Sequence, residues 1–130
     1  YVITSLGTYF SHEANLGFLS IPFTIFAIVG FTNATNLIDG LDGLSGSISL
    51  AILLGFLALG FMYNDTIIIY LSSIMILAIS VFLVFNWHPA KIFLGDSGAL
   101  LMGFTIALIA IKLIDYISPT SVFFLTGIPI

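Results

Sequence analysis

The sequence is poor in charge and lacks cysteine altogether. Its 130 residues include two basic side chains, Lys91 and Lys112, and six acidic ones, so 6% of the chain is charged, against about 25% in soluble proteins. The absence of cysteine excludes a disulfide framework and a thiolate metal site. Two lysines cannot form a basic patch, which excludes nucleic acid as a partner. Because 60% of the residues are hydrophobic, we predict a membrane protein whose first partner is the lipid bilayer.

Four apolar stretches approach the length of about 20 residues that a transmembrane helix needs. They cover residues 21–38, 44–63, 66–85 and 99–118, and a fifth begins near Thr120. Residues 1–18 are rich in β-branched and aromatic side chains and predict a short β-hairpin at the membrane surface. We therefore expect an all-α polytopic membrane protein, forming one membrane domain over residues 1–130. Four helices should be complete and the fifth cut short, and we expect the chain to be the central fragment of a longer protein.

Two polar stretches interrupt this apolar pattern, NLIDGLDGLSG at residues 36–46 and NWHPAKIFLGDSG at residues 86–98. Two predicted spans separate them, so the chain returns to the membrane face that it left. The sequence thus predicts that both stretches share one aqueous face. The short polar hinge at residues 63–65 should join the intervening spans as a tight antiparallel pair, and lie at the opposite face with Asp115 and Ser118.

In the first stretch, polar residues recur at a spacing of three: Asn33, Asn36, Asp39 and Asp42. On a helix this spacing places them along one slowly drifting stripe, which favours a shared cavity over lipid. Gly40 and Gly43 would let a ligand approach the backbone. The simpler interpretation is that Asp42 caps the next helix and that Asp39 is interfacial. Capping would explain one of the two acids but not the asparagines, so we favour the interpretation that these residues form a functional site.

The second stretch combines donors, an aromatic ring and a carboxylate. Pro89 should end the preceding helix. His88 and Lys91 offer donors to an anion, and Phe93 offers an aromatic platform. Asp96 just before the fourth span could be simply an N-cap, a role compatible with ligand binding, since helix N-termini also attract phosphate. Taken singly, Lys91 could be a headgroup anchor and His88 an interfacial side chain.

Together the two stretches contribute three acids, one lysine and no cysteine. Oxygen donors of this type suit Mg²⁺, with Mn²⁺ as an alternative. In proteins Mg²⁺ is usually bound by one or two carboxylates together with substrate phosphates. A divalent cation would also relieve the repulsion between clustered acids and a diphosphate. We therefore expect a phosphate or diphosphate substrate at the membrane face.

The motifs NATNLIDGLDGL and NWHPAKIFLGDSG, with their order and two-span spacing, resemble those of the polyprenyl-phosphate N-acetylhexosamine-1-phosphate transferase family. The resemblance is greatest to undecaprenyl-phosphate N-acetylglucosamine-1-phosphate transferases and extends from about Leu16 to the end. It implies a Mg²⁺-dependent phosphoglycosyltransferase of the bacterial inner membrane with its motif loops on the cytoplasmic face. Such an enzyme moves a sugar-1-phosphate from a UDP-N-acetylhexosamine to undecaprenyl phosphate and releases UMP, the first membrane step of cell-envelope glycan synthesis.

The resemblance also implies residue roles. Asp39, Asp42 and Asp96 would be the catalytic residues, and Asp96 the metal ligand. The substrate-binding residues would be Asn36, Lys91, Phe93 and His88, with Phe93 stacking on uracil and Lys91 meeting phosphate. Ala99 departs from the serine of many relatives. The family's adjacent aspartate pair and histidine-containing loop have no counterpart here, so we expect these residues alone to be inactive. The sequence does not determine which sugar is transferred, which glycan pathway is served, or whether the protein forms a homodimer.

Three functions from other classes compete with this one. A cation or proton transporter would use Asn33, Asn36 and Asp39, although transporter sites usually lie at mid-membrane. GDSG at residues 95–98 fits a rhomboid-type intramembrane serine protease, which needs a histidine beside Ser97. An aspartyl intramembrane protease would need glycine where Phe93 stands.

Overall fold

The computed structural model describes residues 2–3, 5–9, 12–114 and 116. Two short strands, β1 (Ser5–Tyr9) and β2 (His12–Asn15), come first, and a single 3₁₀ turn, Gly17–Leu19, leads into the helices. The helices are α1 (Ser20–Ile38), α2 (Leu44–Tyr63), α3 (Thr66–Asn86) and α4 (Gly95–Ile114). The strands pair antiparallel, with Thr8 opposite Glu13, which confirms the predicted N-terminal pair of strands. The predicted fifth span, Asp115 and Ser118 lie outside the described residues.

All four helices are long and apolar enough to cross a membrane. With the 3₁₀ turn counted as part of the first span, the four spans have 20 to 22 residues each, which at about 1.5 Å per residue matches the roughly 30 Å of the hydrocarbon layer. The prediction of an all-α polytopic membrane protein is therefore confirmed.

The hinge between α2 and α3 makes the predicted tight antiparallel pair. Asn64 ends α2 in the left-handed region, at φ 52°, and its N–H bonds back to the carbonyls of the last turn. Asp65 caps α3, because its Oδ1 accepts hydrogen bonds from the N–H groups of Ile67 and Ile68 at 2.9 and 3.1 Å. The chain thus reverses over two residues, and α2 packs along α3.

Helix α4 packs chiefly against α1 and completes the core. The buried core consists of Leu53, Ile68, Ile79, Met102, Ile106, Ile109 and Leu113. At Gly103 the two helices are so close that a Cβ atom would lie 2.9 Å from Thr35 Oγ1 and 3.0 Å from the Cα of Thr32. Glycine is thus what permits α1 and α4 to approach.

Two expectations about helix ends are corrected. Helix α1 ends at Ile38, so Asp39 and Asp42 lie in a turn and not along a helical stripe with Asn33 and Asn36. The turn forms because Gly43 adopts a φ of 71°, a value that a helix excludes. Gly43, and not Asp42, is the N-cap residue of α2, and no side chain caps that helix.

Helix α4 begins four residues earlier than the predicted span, at Gly95. Asp96 therefore lies in the first turn of this helix and does not precede it. The physical reason is that the apolar pattern begins only at Ala99, whereas helical hydrogen bonding extends into the polar residues before it.

Candidate functional site

The two polar stretches meet at one end of the helices, joined by the side chain of Asn86. This residue is the last of α3 and is buried, with 5% of its surface exposed. Its Oδ1 accepts a hydrogen bond from the N–H of Gly43 at 2.9 Å, and its Nδ2 donates to the carbonyl of Ile92 at 2.8 Å. One amide thus holds the turn of the first stretch and the loop of the second.

Asp42 makes the second connection between the stretches. Its Oδ2 lies 3.0 Å from His88 Nδ1 and accepts a hydrogen bond from the N–H of Ala90 at 3.2 Å. These contacts, first the Ala90 amide and then His88, lower the pKa of the Asp42 carboxyl below its usual range. Asp42 is thus ionised at neutral pH and engaged by the loop that follows α3.

Asp39 follows α1 directly and is only partly exposed. Burial raises the pKa of this carboxyl above its usual range, and the negative charge of Asp96 raises it further, while the nearby Ser45 hydroxyl acts in the opposite direction. The hydrogen bonds of Asn86 and Asp42 hold the turn after α1 next to the loop that leads into α4. Two carboxylates that repel each other attract a cation.

The remaining predicted residues lie on the two polar stretches. Asn36 is half-buried in the last turn of α1, whereas His88, Lys91, Phe93 and Asp96 are exposed on the second stretch. Phe93 has 72% of its surface exposed, so its ring is available for stacking. Asp96 lies beside the unpaired N–H groups at the start of α4, where a helix attracts anions. The second stretch therefore exposes a carboxylate, an ammonium group and an aromatic ring within nine residues of sequence, at the end of the helices where the first stretch also lies.

The donor set suits a hard cation that brings other ligands with it. Among the described residues no group of three or more histidine, cysteine or acidic side chains could hold a metal ion. Asp39 and Asp96 supply carboxylate oxygens, and Asp42 is already engaged by the second loop. Mg²⁺ fits such a site, because it keeps several waters and binds few carboxylates together with substrate phosphates.

An apolar cleft of about 100 Å³ lies next to this site, between α1, α2 and α4. Ile38, which precedes Asp39, and Ser45 line it with Phe31 and Ile106. Its lining is mostly hydrocarbon, so it suits an apolar chain better than a polar ligand.

Sequence reasoning missed Asn86 as a residue of the site. The signal was present, because an asparagine at the end of an apolar span must find partners or reach water. What the sequence could not show is that its partners are backbone groups 43 residues upstream and six residues downstream. The geometry also bears on the protease alternative, since His88 contacts Asp42 and makes no hydrogen bond with Ser97 in the described part of the chain.

The chain is similar in sequence to known proteins. Residues 1–114 match the family model described as glycosyl transferase family 4. A protein of Bacillus subtilis (strain 168) named "Probable undecaprenyl-phosphate N-acetylglucosaminyl 1-phosphate transferase" is 36% identical over 126 residues, which cover 94% of this chain and 35% of the relative.

Two streptococcal relatives carry another name, phospho-N-acetylmuramoyl-pentapeptide-transferase. The protein of Streptococcus equi subsp. zooepidemicus (strain MGCS10565) is 43% identical over 107 residues, covering 80% of this chain and 31% of the relative. That of Streptococcus agalactiae serotype Ia is 41% identical over 113 residues, covering 85% and 33%. The chain spans about a third of the length of the curated relatives that it matches.

Proposed function

Because this chain belongs to glycosyl transferase family 4, we propose that the protein transfers a sugar-1-phosphate from a UDP-N-acetylhexosamine to undecaprenyl phosphate. An oxygen of the lipid phosphate forms a bond to the sugar-bearing phosphorus, and the bond from that phosphorus to the bridging oxygen breaks, so that UMP leaves. The observation that carries the proposal is the joining of the two separate polar stretches by the side chains of Asn86 and Asp42, which brings Asp39 and Asp96 to one end of the helices. Phosphoryl transfer needs such positioning and charge neutralisation more than covalent help.

We assign Asp96, with Asp39 beside it, to hold Mg²⁺. The ion would supply charge neutralisation on the diphosphate and on the departing UMP. The first N–H groups of α4 would orient the phosphates, and Lys91 would contribute a positive charge beside them. Phe93 would stack on the uracil, and Asn36 would bind the nucleotide sugar. Asp42, held by Ala90 and His88, would keep the second stretch in place over the substrate.

The apolar cleft supports the proposal that the acceptor substrate is a lipid phosphate. It borders the Asp39 turn through Ile38 and Ser45, so an apolar chain lying in it would place an attached phosphate close to the carboxylates. The relatives' names support both substrates, since the Bacillus subtilis protein is named for undecaprenyl phosphate and N-acetylglucosamine. We propose N-acetylglucosamine as the sugar, because that relative matches 94% of this chain.

The two lysines support a cytoplasmic position for the site. Lys112 is buried and ion-paired with Asp65, whereas Lys91 is exposed in the loop before α4. Lys91 is therefore the lysine that counts as a loop charge, and exposed lysines favour the cytoplasmic side. We propose that the site faces the cytoplasm in a bacterial inner membrane.

The test is release of UMP by the protein as expressed from its own gene, in detergent, with Mg²⁺, UDP-N-acetylglucosamine and undecaprenyl phosphate. Asp96→Asn should abolish turnover and leave expression intact, and the neighbouring Ser97→Ala serves as the matched control. A parallel reaction with UDP-N-acetylmuramoyl-pentapeptide as the donor identifies the sugar, because the preferred donor should release UMP faster. Unchanged turnover in Asp96→Asn would refute the metal assignment, and ion flux into liposomes without any UDP-sugar would favour a transporter.

A further inference from the structure

The end of the helices opposite to the site contains a buried charged cluster that the proposed reaction does not use. Asp65 has 6% of its surface exposed and Lys112 has 7%. Asp65 Oδ2 accepts hydrogen bonds from Lys112 Nζ and from the hydroxyl of Tyr116, the latter at 2.5 Å. Buried ionisable groups at a membrane boundary rarely lack a role.

This one carboxylate connects three helices. Its Oδ1 caps α3, and its Oδ2 holds the last turn of α4 through Lys112. The ring of Tyr63, the last residue of α2, stacks on Tyr116 with 4.9 Å between ring centroids. The hinge between α2 and α3 is therefore tied to the end of α4.

An ion pair can fix a position that apolar packing leaves loose. Contacts between apolar helices in a bilayer depend on shape and close approach, and side chains such as Leu and Ile permit small axial shifts. A buried carboxylate and ammonium must meet, because separating them leaves an uncompensated charge in a poorly solvated place. The Asp65–Lys112 pair thus favours one position of α4 along the α2–α3 hairpin.

We propose that the Asp65–Lys112 pair is a positioning pair that sets where Asp96, at the other end of α4, lies relative to the first polar stretch. Lys112 and Asp96 lie on the same helix, sixteen residues and roughly 24 Å apart along its axis. Because a helix is stiff over this length, an axial shift at Lys112 moves Asp96 by a similar amount. The catalytic consequence rests on the proposed function, but the position of α4 does not.

The experiment compares three variants of the protein as expressed from its own gene. Asp65→Asn keeps an oxygen that can cap α3 and removes the negative charge. Lys112→Met keeps an unbranched side chain and removes the positive charge. The double variant removes both charges together. Asn64→Gly is the matched control, since Asn64 lies in the same hinge, is exposed, and adopts a φ of 52° that glycine tolerates.

We expect each single variant to lower the unfolding temperature in detergent and the double variant to recover it, because the double variant removes both charges of this pair together. The double variant should still need about tenfold more Mg²⁺ for half-maximal UMP release, the range seen when groups that orient a metal ligand are lost. A wild-type Mg²⁺ requirement in the double variant would show that the pair is merely structural and overturn the proposal.

If the double variant does not fold, Tyr116→Phe tests the proposal in its place. This change removes one hydrogen bond to Asp65 and keeps the ring that stacks on Tyr63. We expect a smaller increase in the Mg²⁺ requirement with the unfolding temperature nearly unchanged. A folded Tyr116→Phe protein with the wild-type Mg²⁺ requirement would contradict the positioning role.

A second measurement needs no enzymatic activity. Spin labels on cysteines introduced at Val84 in α3 and Leu101 in α4, both exposed, report the distance between these helices. The double variant should shift or broaden the distance distribution, and Asn64→Gly should not. An unchanged distribution overturns the inference. A changed distribution in a protein whose parent releases no UMP would instead overturn the proposed function.

Discussion

Asn86 and Gly43, which are 43 residues apart in the chain, are joined by a hydrogen bond of 2.9 Å from the Gly43 N–H to the Asn86 side-chain oxygen. The same side chain donates to the carbonyl of Ile92. A single buried amide therefore satisfies backbone groups on both polar stretches, and it determines how closely they approach.

Replacing Asn86 with leucine should separate the two stretches. The change leaves the buried Gly43 N–H and the partly buried Ile92 carbonyl without this partner, and an unsatisfied buried group costs about 1–3 kcal/mol. We expect a lower unfolding temperature in detergent together with a loss of UMP release. Asn64→Gly, at an exposed asparagine, is the control and should change neither quantity. A fully stable and active Asn86→Leu protein would contradict the bridging role.

Gly43→Ala should strain the turn that carries Asp42. Gly43 has a φ of 71°, and a left-handed conformation costs an L-residue about 1–2 kcal/mol. A Cβ atom there would also touch the ring of Trp87 at 3.5 Å. We expect a loss of stability of about 1 kcal/mol, and a shift in the fluorescence of Trp87, the one tryptophan of this sequence.

Gly40→Ala is the matched control for this substitution. Gly40 lies in the same turn, its φ is outside the positive range, and a Cβ atom there would meet nothing within 4 Å. Its emission spectrum and stability should match the wild type. Equal effects of the two substitutions would show that the conformation of Gly43 is unimportant.

The two carboxyls of the first stretch should give stability profiles of opposite slope against pH. The pKa of Asp39 is raised above its usual 3.8, so the folded state holds this proton more tightly than the unfolded state, and stability falls as pH rises through that window. The pKa of Asp42 is lowered, so its contribution is complete above 3.8 and is lost as pH falls through the folded-state value.

Thermal unfolding of Asp39→Asn and Asp42→Asn across this pH range checks the signs. Asp39→Asn should be at least as stable as the wild type at pH 7, because burial and repulsion from Asp96 are relieved, and should nevertheless lose UMP release. Asp42→Asn should be less stable than the wild type at pH 7 and approach it in acid. Reversed differences would be incompatible with the contacts described for either residue.

Gly103→Leu should force α1 and α4 apart. A Cβ atom at this position would lie 3.0 Å from the backbone of Thr32, which cannot move as a side chain can. Overpacking of this kind costs typically about 1–3 kcal/mol. The measurement is the unfolding temperature in detergent, with Gly55→Leu on α2 as the control, since a Cβ atom there meets nothing within 4 Å. Similar unfolding temperatures for both variants would show that the close approach is not needed.

The sequence by itself determined that the chain forms four apolar spans and that both polar stretches lie at the same end of them. Length and hydropathy define each span locally, and an even number of spans between two loops returns the chain to one face whatever the packing. The hairpin at Asn64 and Asp65 and the pair of N-terminal strands were predictable for the same reason, since their signals are local turn residues.

The tertiary structure alone decided which polar groups touch. The prediction of one helical stripe from Asn33 to Asp42 was wrong, because α1 ends at Ile38 and Gly43 adopts a left-handed conformation. Both features depend on what packs around the turn. The role of Asn86 and the pairing of Asp65 with Lys112 join residues more than 40 positions apart. Periodicity and composition carry no information on such contacts, because they arise only when helices lie at a fixed depth and rotation against one another.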